Sequence, residues 1–541
     1  MSITHSTNYQ AREHALQQAA TIKMNHTSLI EYQSRGRIAV IGGVEALEFA
    51  PRLIDPLHPQ LVLLEGQEEP GVPMVSVAGR PIQIEGYMGA FKISLGEEGK
   101  PNYESLAVDL VLDLGPEPLL NMPIKPPGYF YCSTDEDKLA EIKETLVELT
   151  GVFEKPKFFD YDATLCAHGR NGVEGCSRCL DACPAQAITG LVESIQVNPN
   201  LCQGGGVCAS VCPTGAIRYS YPEPVHILER ISLLISMYRE QGGQNPVICF
   251  IPESAALSKE ALPDHYLPVY VEELASIGLE VWLSSLSFGA SSILLMDDGA
   301  IPEMVTNPLR DQLETAWAIL SGLGYPETTL QLMKVDESDS LQTSAMPAIQ
   351  PARFKVSNNK RQVAYFAIDH LFHQAEQAPP EILAMPAASP FGRVKVNQEA
   401  CTLCLACTSI CPANAIQAGG ESPRLIFQEL NCVQCGICAR GCPEKAITLE
   451  PRLIADPEKR LASLTLNEEQ PFHCISCGKP FATLSVINTM VEKLQGHWMY
   501  QSQRSRQRLK MCEDCRVVDA MQDPEAMDPS MNVGQIGPNA H

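Results

Sequence analysis

The pattern of apolar and polar positions divides the chain into stretches of different period. RIAVIGG (37–43) is nearly continuous in apolar residues and ends on glycines, the signature of a strand buried on both faces. LVLLEG (61–66) repeats it, and PIQIEGYMGAFKISL (81–95) and SLAVDLVLDLG (105–115) continue the strand-rich pattern. DEDKLAEIKETLVELTG (135–151) changes to helical spacing with an acidic first turn. Further on, HILERISLLISMYREQGG (226–243) predicts a helix closed by glycines and PVICFI (246–251) a strand. LPVYVEELASIG (267–278) and TAWAILSGLG (315–324) read as helices, with SSILLM (291–296) a strand between them. Residues 1–36 read as helical or loosely ordered.

These elements predict a multidomain α+β and α/β protein. An N-terminal α/β domain covers 1–152, with a degenerate Rossmann-like start, and a cysteine-rich module covers 153–222. Helix–strand alternation makes 223–335 a small open α/β domain. A linker and helix (336–390), a second cysteine-rich module (391–452), a third cysteine set (453–520) and a disordered tail (521–541) follow.

At 541 residues the chain is too long for one core, and roughly three or four domains are expected. A net charge of -24 argues against a protein held to nucleic acid through phosphates. No apolar run reaches the roughly 18 residues that span a bilayer. The first residues show neither an apolar core after a basic start nor a twin-arginine pair, so no export signal is read and a cytoplasmic protein is expected. Many of the 21 cysteines fall in C-x-x-C pairs, which in a reducing compartment point to metal rather than disulfides.

CTLCLACTSICP places Cys401, Cys404, Cys407 and Cys411 before Pro412, and CVQCGICARGCP places Cys432, Cys435, Cys438 and Cys442 before Pro443. Three close thiolates on a tight loop wrap one cubane, and the fourth reaches the other cluster. Cys401, Cys404, Cys407 and Cys442 are therefore expected to hold one [4Fe–4S], and Cys411, Cys432, Cys435 and Cys438 a second. Residues 392–451 closely resemble the two-cluster bacterial ferredoxins, with CPANAI and CPEKAI supplying the usual helix after each fourth cysteine. That resemblance implies an electron carrier without a catalytic residue of its own.

In the first block, CSRCLDACPAQAI aligns Cys176, Cys179 and Cys183 with Cys404, Cys407 and Cys411. The partner of Cys401 falls on Val173, and Cys166 lies upstream across the glycine-containing loop AHGRNGVEG. Cys166, Cys176, Cys179 and Cys212 are assigned to a third [4Fe–4S], with His168 as a reserve ligand. The fourth site has Cys183, Cys202 and Cys208, but Gly205 stands where Cys435 stands in the intact copy. It is read as a [4Fe–4S] with one iron bound by water or another group, as a [3Fe–4S], or as empty, with an occupied site expected, so three or four clusters are expected in all.

FHCISCGKPF and KMCEDCR form two knuckles, Cys474/Cys477 and Cys512/Cys515, separated by 34 residues. Four thiolates so arranged suit structural Zn2+ in a zinc-ribbon-like domain, rather than a rubredoxin-like iron. The basic run QSQRSRQRLK before the second knuckle reads as a solvated helix face, or more sharply as a docking patch for an acidic partner. AVIGGVEALEF has Gly42 and Gly43 but not G-x-G-x-x-G, and Glu65 ends the next strand, so flavin or NAD binding is not expected. Cys132 and Cys249 lack partners at metal spacing and read as buried small residues.

The segment 246–333 resembles the delta subunit of methyl-viologen-reducing hydrogenase, which implies a domain working beside ferredoxin modules in electron relay. That family's cysteine cluster is absent here apart from Cys249. KFFDYDATLCAHGRNGVEGCSRCLDACPAQAI and FHCISCGKPFA carry a similarity, extending over nearly the whole chain, to a proteobacterial 4Fe–4S protein family found with formate dehydrogenase accessory genes. It implies a molybdenum- or tungsten-containing formate dehydrogenase as redox partner. The expected function is iron–sulfur electron transfer, with a maturation factor for such an enzyme or a redox-sensing adaptor as alternatives.

Overall fold

The computed structural model describes residues 6–23, 28–64, 74–77, 79–133, 135–340, 349–420, 422–494 and 496–524. The chain forms two units, one of residues 1–166 with 177–379 and one of 167–176 with 380–541. Among the described residues no helix is long and apolar enough to cross a membrane.

In the first unit a five-stranded parallel sheet runs in the order Met74–Ser76, His58–Leu63, Arg37–Gly42, Leu110–Asp113, Tyr129–Tyr131. Ile38, Ala39, Val40 and Ile41 in its centre are fully buried, as an unbroken apolar strand covered on both faces must be. A separate antiparallel sheet of Ile82–Glu85, Phe91–Leu95 and Glu104–Val108 packs Phe91, Ile93 and Val108 into one of its cores. Arg37 holds Asp109 through its guanidinium (Nη2–Oδ1 2.6 Å), and the backbone N–H groups of Arg35 and Arg37 donate to the same carboxylate. Glu65 lies outside the described residues.

The second parallel sheet runs Tyr266–Val271, Val247–Pro252, Ser292–Asp297, Leu330–Lys334. The helix expected across 267–278 is not formed. Leu267, Val269 and Val271 alternate, and Pro268, which has no N–H, fits an edge strand and breaks a helix. Only a short 3-10 turn, Leu274–Ser276, follows. The helix comes later, at Leu279–Ser287, with all nine residues buried. The first helix, Thr7–Ala19, belongs with this second sheet. Arg12 is buried and donates to the carbonyls of Leu262 and Pro263, and Glu13 pairs with Lys259 at 2.6 Å. The described part of the expected linker is tied down too. Phe354 packs between Phe288 and Phe366, and Ala352 donates to the Ser287 carbonyl at 2.8 Å before the helix Lys360–Gln374.

Each cysteine-rich module places an outer antiparallel strand pair and an inner hairpin around two short helices, and these helices come before each motif's last cysteine, not after it as expected. In the first, Phe159–Tyr161 pairs with Ile217–Tyr219 and Ile188–Gly190 with Ile195–Val197, beside Arg178–Ala182 and Val207–Val211. In the second, Gly392–Val396 pairs with Ile447–Ile454 and Ile416–Ala418 with Arg424–Gln428, beside Ala406–Ile410 and Ile437–Arg440. The second module gains an extra strand at each sheet, Ile382–Ala384 and Ser463–Glu468. Its buried Glu429 and Arg452 neutralise each other at 2.6 Å.

Candidate metal centres

The loops of the second module bend through left-handed residues at Leu403, Leu405, Gln434 and Gly436, with φ of 54°, 58°, 54° and 80°. Such φ values cost roughly 1–2 kcal/mol at each non-glycine residue, so the loop shape is held by something other than local preference. The turn swings thiols three residues apart to one side. Cys411, Cys432, Cys435 and Cys438 line one small cavity, and Cys401, Cys404, Cys407 and Cys442 another. Each cavity takes three thiols from one motif and the fourth from the other. Val394, Ile416 and Leu449 wall the first, and Leu425 and Ile447 the second.

Backbone N–H groups point at the crossing thiols: Ala415 donates to Cys411 Sγ at 3.2 Å and Ala446 to Cys442 Sγ at 3.4 Å. Both follow from another left-handed residue, Asn414 or Lys445, three positions after the cysteine. Burial, then neighbouring thiolates, pushes the Cys407 thiol up to about 12. Burial, eased by the Ile437 N–H and reinforced by the charges of Cys432 and Cys411, pushes Cys435 up to about 11. Four thiolates held side by side, most of them at least partly buried, need a cationic centre among them, and iron of a cubane supplies that charge. The donor sets fit [4Fe–4S] clusters.

In the first module Cys166, Cys179, Cys183, Cys202, Cys208 and Cys212 converge on one core with Phe159, Ile188, Ile195 and Ile217. Burial, then the charges of Cys202 and Cys183, raises Cys208 well above an ordinary thiol. Ala187 donates to Cys183 Sγ at 3.4 Å, as in the second module. At Cys212 the equivalent N–H, of Ala216, goes to Thr214 Oγ1, itself 3.5 Å from Cys212 Sγ. Cys176 ends the hairpin 167–176, which groups with the second unit, where Arg440 donates to the Gly175 carbonyl. His168 sets its Nδ1 2.9 Å from the Cys176 carbonyl, a backbone-bracing role. Sequence reasoning missed two supports. Lys155 Nζ donates to the carbonyls of Asn200 and Cys202, and Tyr32 Oη donates to Asn200. Both come from distant strands, and no local spacing signals them.

Cys474, Cys477, Cys512 and Cys515 bring their sulfurs within 4.8 Å of one another. Cys477 and Cys512 lie 3.6 Å apart, close to the roughly 3.8 Å that a tetrahedral ion with 2.3 Å bonds to sulfur requires. Burial acts to raise Cys474, but the backbone N–H groups of Cys512, Cys477 and Ser476 outweigh it and bring the thiol down to about 6. The set therefore fits one small thiophilic ion. The neighbouring basic helix Gln503–Arg508 is not a free cationic patch: Arg504 and Arg508 both pair with Asp519.

The glycine turn after Arg37–Gly42 is filled by the chain itself. Glu45 Oε1 accepts from the Gly43 N–H at 2.9 Å, where a nucleotide phosphate would otherwise be sought. Cys132 and Cys249 are buried in cores of the two parallel-sheet domains.

Comparison with known proteins agrees with the cysteine geometry. Residues 400–447 and 174–216 each match a 4Fe–4S dicluster domain family. The chain carries two 4Fe–4S dicluster ferredoxin domains. It is also 48% identical over 48 residues to "Hydrogenase-4 component A" of Escherichia coli (strain K12). That match spans 9% of this chain and 23% of the relative, so the likeness concerns one module and not the whole protein. Iron–sulfur binding and an electron-transfer role are the properties these matches support.

Proposed function

We propose that the protein is a multi-cluster electron carrier serving a molybdenum- or tungsten-containing formate dehydrogenase or a similar oxidoreductase. The observation that carries the reading is the crossed pair of four-thiol cavities in the second module. Each cubane, when bound, accepts and returns one electron. The chain's own residues hold the thiolates in place, and the N–H groups of Ala415 and Ala446 stabilise charge on Cys411 and Cys442. Apolar residues such as Leu425 and Ile447 line the thiol pocket, in which Cys407 is buried and Cys404 is exposed. Cys166, Cys176, Cys179 and Cys212 are proposed to ligate a third cluster, and Cys183, Cys202 and Cys208 a fourth centre. Cys474, Cys477, Cys512 and Cys515 are proposed to hold Zn2+. The formate dehydrogenase partner rests on the resemblance of residues 157–188 and of the first knuckle to the family found with that enzyme's accessory genes.

The test is anaerobic purification of the full chain with iron, acid-labile sulfide and zinc analysis, followed by stopped-flow mixing with formate and formate dehydrogenase. The visible absorbance of the clusters is expected to bleach within enzyme turnover and return with an added acceptor. A protein that holds iron and sulfide yet is neither reduced nor reoxidised on that timescale, while formate dehydrogenase made without it lacks its cofactor, is a maturation factor instead.

A further inference from the structure

Gly205 stands where Cys435 stands, but the backbone around it is unchanged. Gly204 and Gly206 have φ of 84° and 67°, matching Gln434 and Gly436 at 54° and 80° and Leu403 and Leu405 at 54° and 58°. Position 205 is thus presented as Cys435 and Cys404 are. The loop's entry is fixed by Lys155 Nζ on the Cys202 carbonyl at 2.5 Å.

The three glycines are there for different reasons. A Cβ at Gly204 would lie 2.9 Å from the Phe158 ring, and one at Gly206 would lie 2.3 Å from Ser276 Cβ. Both positions also need a left-handed φ, so packing and backbone demand glycine there. A Cβ at Gly205 would meet nothing within 4 Å, and its φ is not left-handed. Neither backbone nor packing requires glycine at 205. Among the described residues no side chain comes within 4 Å of that Cβ position, and Gly205 is only partly buried. Of the cysteines outside the proposed metal sets, Cys132 gives its thiol to the Asp135 carbonyl at 3.3 Å, and Cys249 is fully buried within its own sheet.

We propose that the centre held by Cys183, Cys202 and Cys208 is a cubane whose fourth iron has no protein ligand, and that this corner binds a small exogenous thiolate. The proposal rests on the iron–sulfur reading above. The space left by a missing Cβ and sulfur is open, and the ligand it should supply is a soft anion, as at the other three corners.

An open corner makes its iron removable. One-electron oxidation of a [4Fe–4S]2+ centre by ferricyanide yields [3Fe–4S]+ and free Fe2+, the electron reducing ferricyanide to ferrocyanide. The test uses the full chain, purified anaerobically without thiols and titrated with ferricyanide under low-temperature EPR with assay of released iron. The parent is expected to give a 3Fe signal and release one iron per chain. Prior addition of 2-mercaptoethanol should abolish both. Gly205→Cys should lack the signal without added thiol, and Gly205→Ala should retain it, because filling space without a ligand protects nothing.

The inference is overturned if the parent gives no 3Fe signal while the second module's clusters are normal. It is also overturned if the thiol has no effect, if Gly205→Cys behaves as the parent, or if Gly205→Ala protects as well as Gly205→Cys. Should Gly205→Cys fail to retain iron, the thiol experiment on the parent decides alone. Absence of cluster signals from both modules of the parent would instead defeat the iron–sulfur reading itself.

Discussion

Single residues set which cluster each thiol serves. Cys432 is buried in the second module, lines the same cavity as Cys411, Cys435 and Cys438, and receives the Gln434 amide at 3.2 Å. Cys432→Ser is expected to remove or distort that cluster, at a loss of up to about four irons, while the signals of the first module persist; an unchanged EPR spectrum would refute the ligand set. This much was legible in the spacing, because three thiols on one tight loop leave few other geometries. The crossing of the fourth cysteine followed from the same short loops. Lys155 and Tyr32 were not legible, since hydrogen bonds to a distant loop's carbonyls leave no periodic trace. Asp109 is another such residue. Burial pushes its carboxyl up, but the Arg37 side chain and the N–H groups of Arg37 and Arg35 outweigh that and hold it below the ordinary carboxylate range. Its stabilising contribution is therefore complete above the unfolded value, near pH 4, and is lost as pH falls through the lower folded value. Asp109→Asn should cost about 2–3 kcal/mol at neutral pH and flatten that acid limb, read by hydrogen exchange at the Ile38–Ile41 amides. An acid limb as steep as the parent's would place the titration elsewhere.

At the scale of elements, the sequence pattern succeeded where a run kept one clear period and failed where the period was ambiguous or absent. The strand Arg37–Gly42 and the helix Pro224–Glu240 were legible, the first from its unbroken apolar run and the second from its spacing. Tyr266–Val271 was misread because an edge strand of four buried apolar positions beside EEL mimics a helical stripe, and only Pro268 argued otherwise. Leu279–Ser287 left no stripe at all, since Ser284, Ser285 and Ser287 are as buried as its leucines. Two of those serines return their hydroxyls to the carbonyl four residues back, Ser285 to Val281 and Ser287 to Leu283, which is how a polar side chain is buried on a helix. Trp282 is fully enclosed on this helix, and its indole N–H has no partner among the described residues. Trp282→Ala should cost about 3–5 kcal/mol through the cavity it leaves, lowering the thermal midpoint of this domain by on the order of 10 °C. Trp282→Phe should cost much less, because it keeps apolar volume and removes a buried donor that nothing satisfies. Equal losses in the two variants would mean that the indole N–H is bonded and contributes to the domain.

At the scale of the whole molecule, the knuckle set and the ferredoxin modules use separate stretches of chain, and this makes their occupancy separable. The knuckle sulfurs come from Cys474, Cys477, Cys512 and Cys515 and from no residue of either ferredoxin module. Their geometry suits one small thiophilic ion, whereas the thiols of the second module line two largely apolar cavities. Cys512 is central to the knuckle site in two ways: its sulfur lies 3.6 Å from that of Cys477, and its N–H donates to Cys474 at 3.2 Å. Cys512→Ala keeps the N–H and removes the thiol, so it isolates ligation from backbone support. It is expected to release one zinc per chain and expose the segment 471–524 to proteolysis, with iron and sulfide content unchanged. Zinc in the parent should also stay bound through a full cycle of reduction and oxidation, because the ion itself has no electron to exchange. A parent in which the knuckles hold iron, seen as a zinc-free red fragment of 453–524, would make the site rubredoxin-like and add a further electron-accepting centre. Iron lost together with zinc in Cys512→Ala would show that the ferredoxin modules depend on the knuckle fold, and that the separable occupancy argued from the ligand sets does not hold.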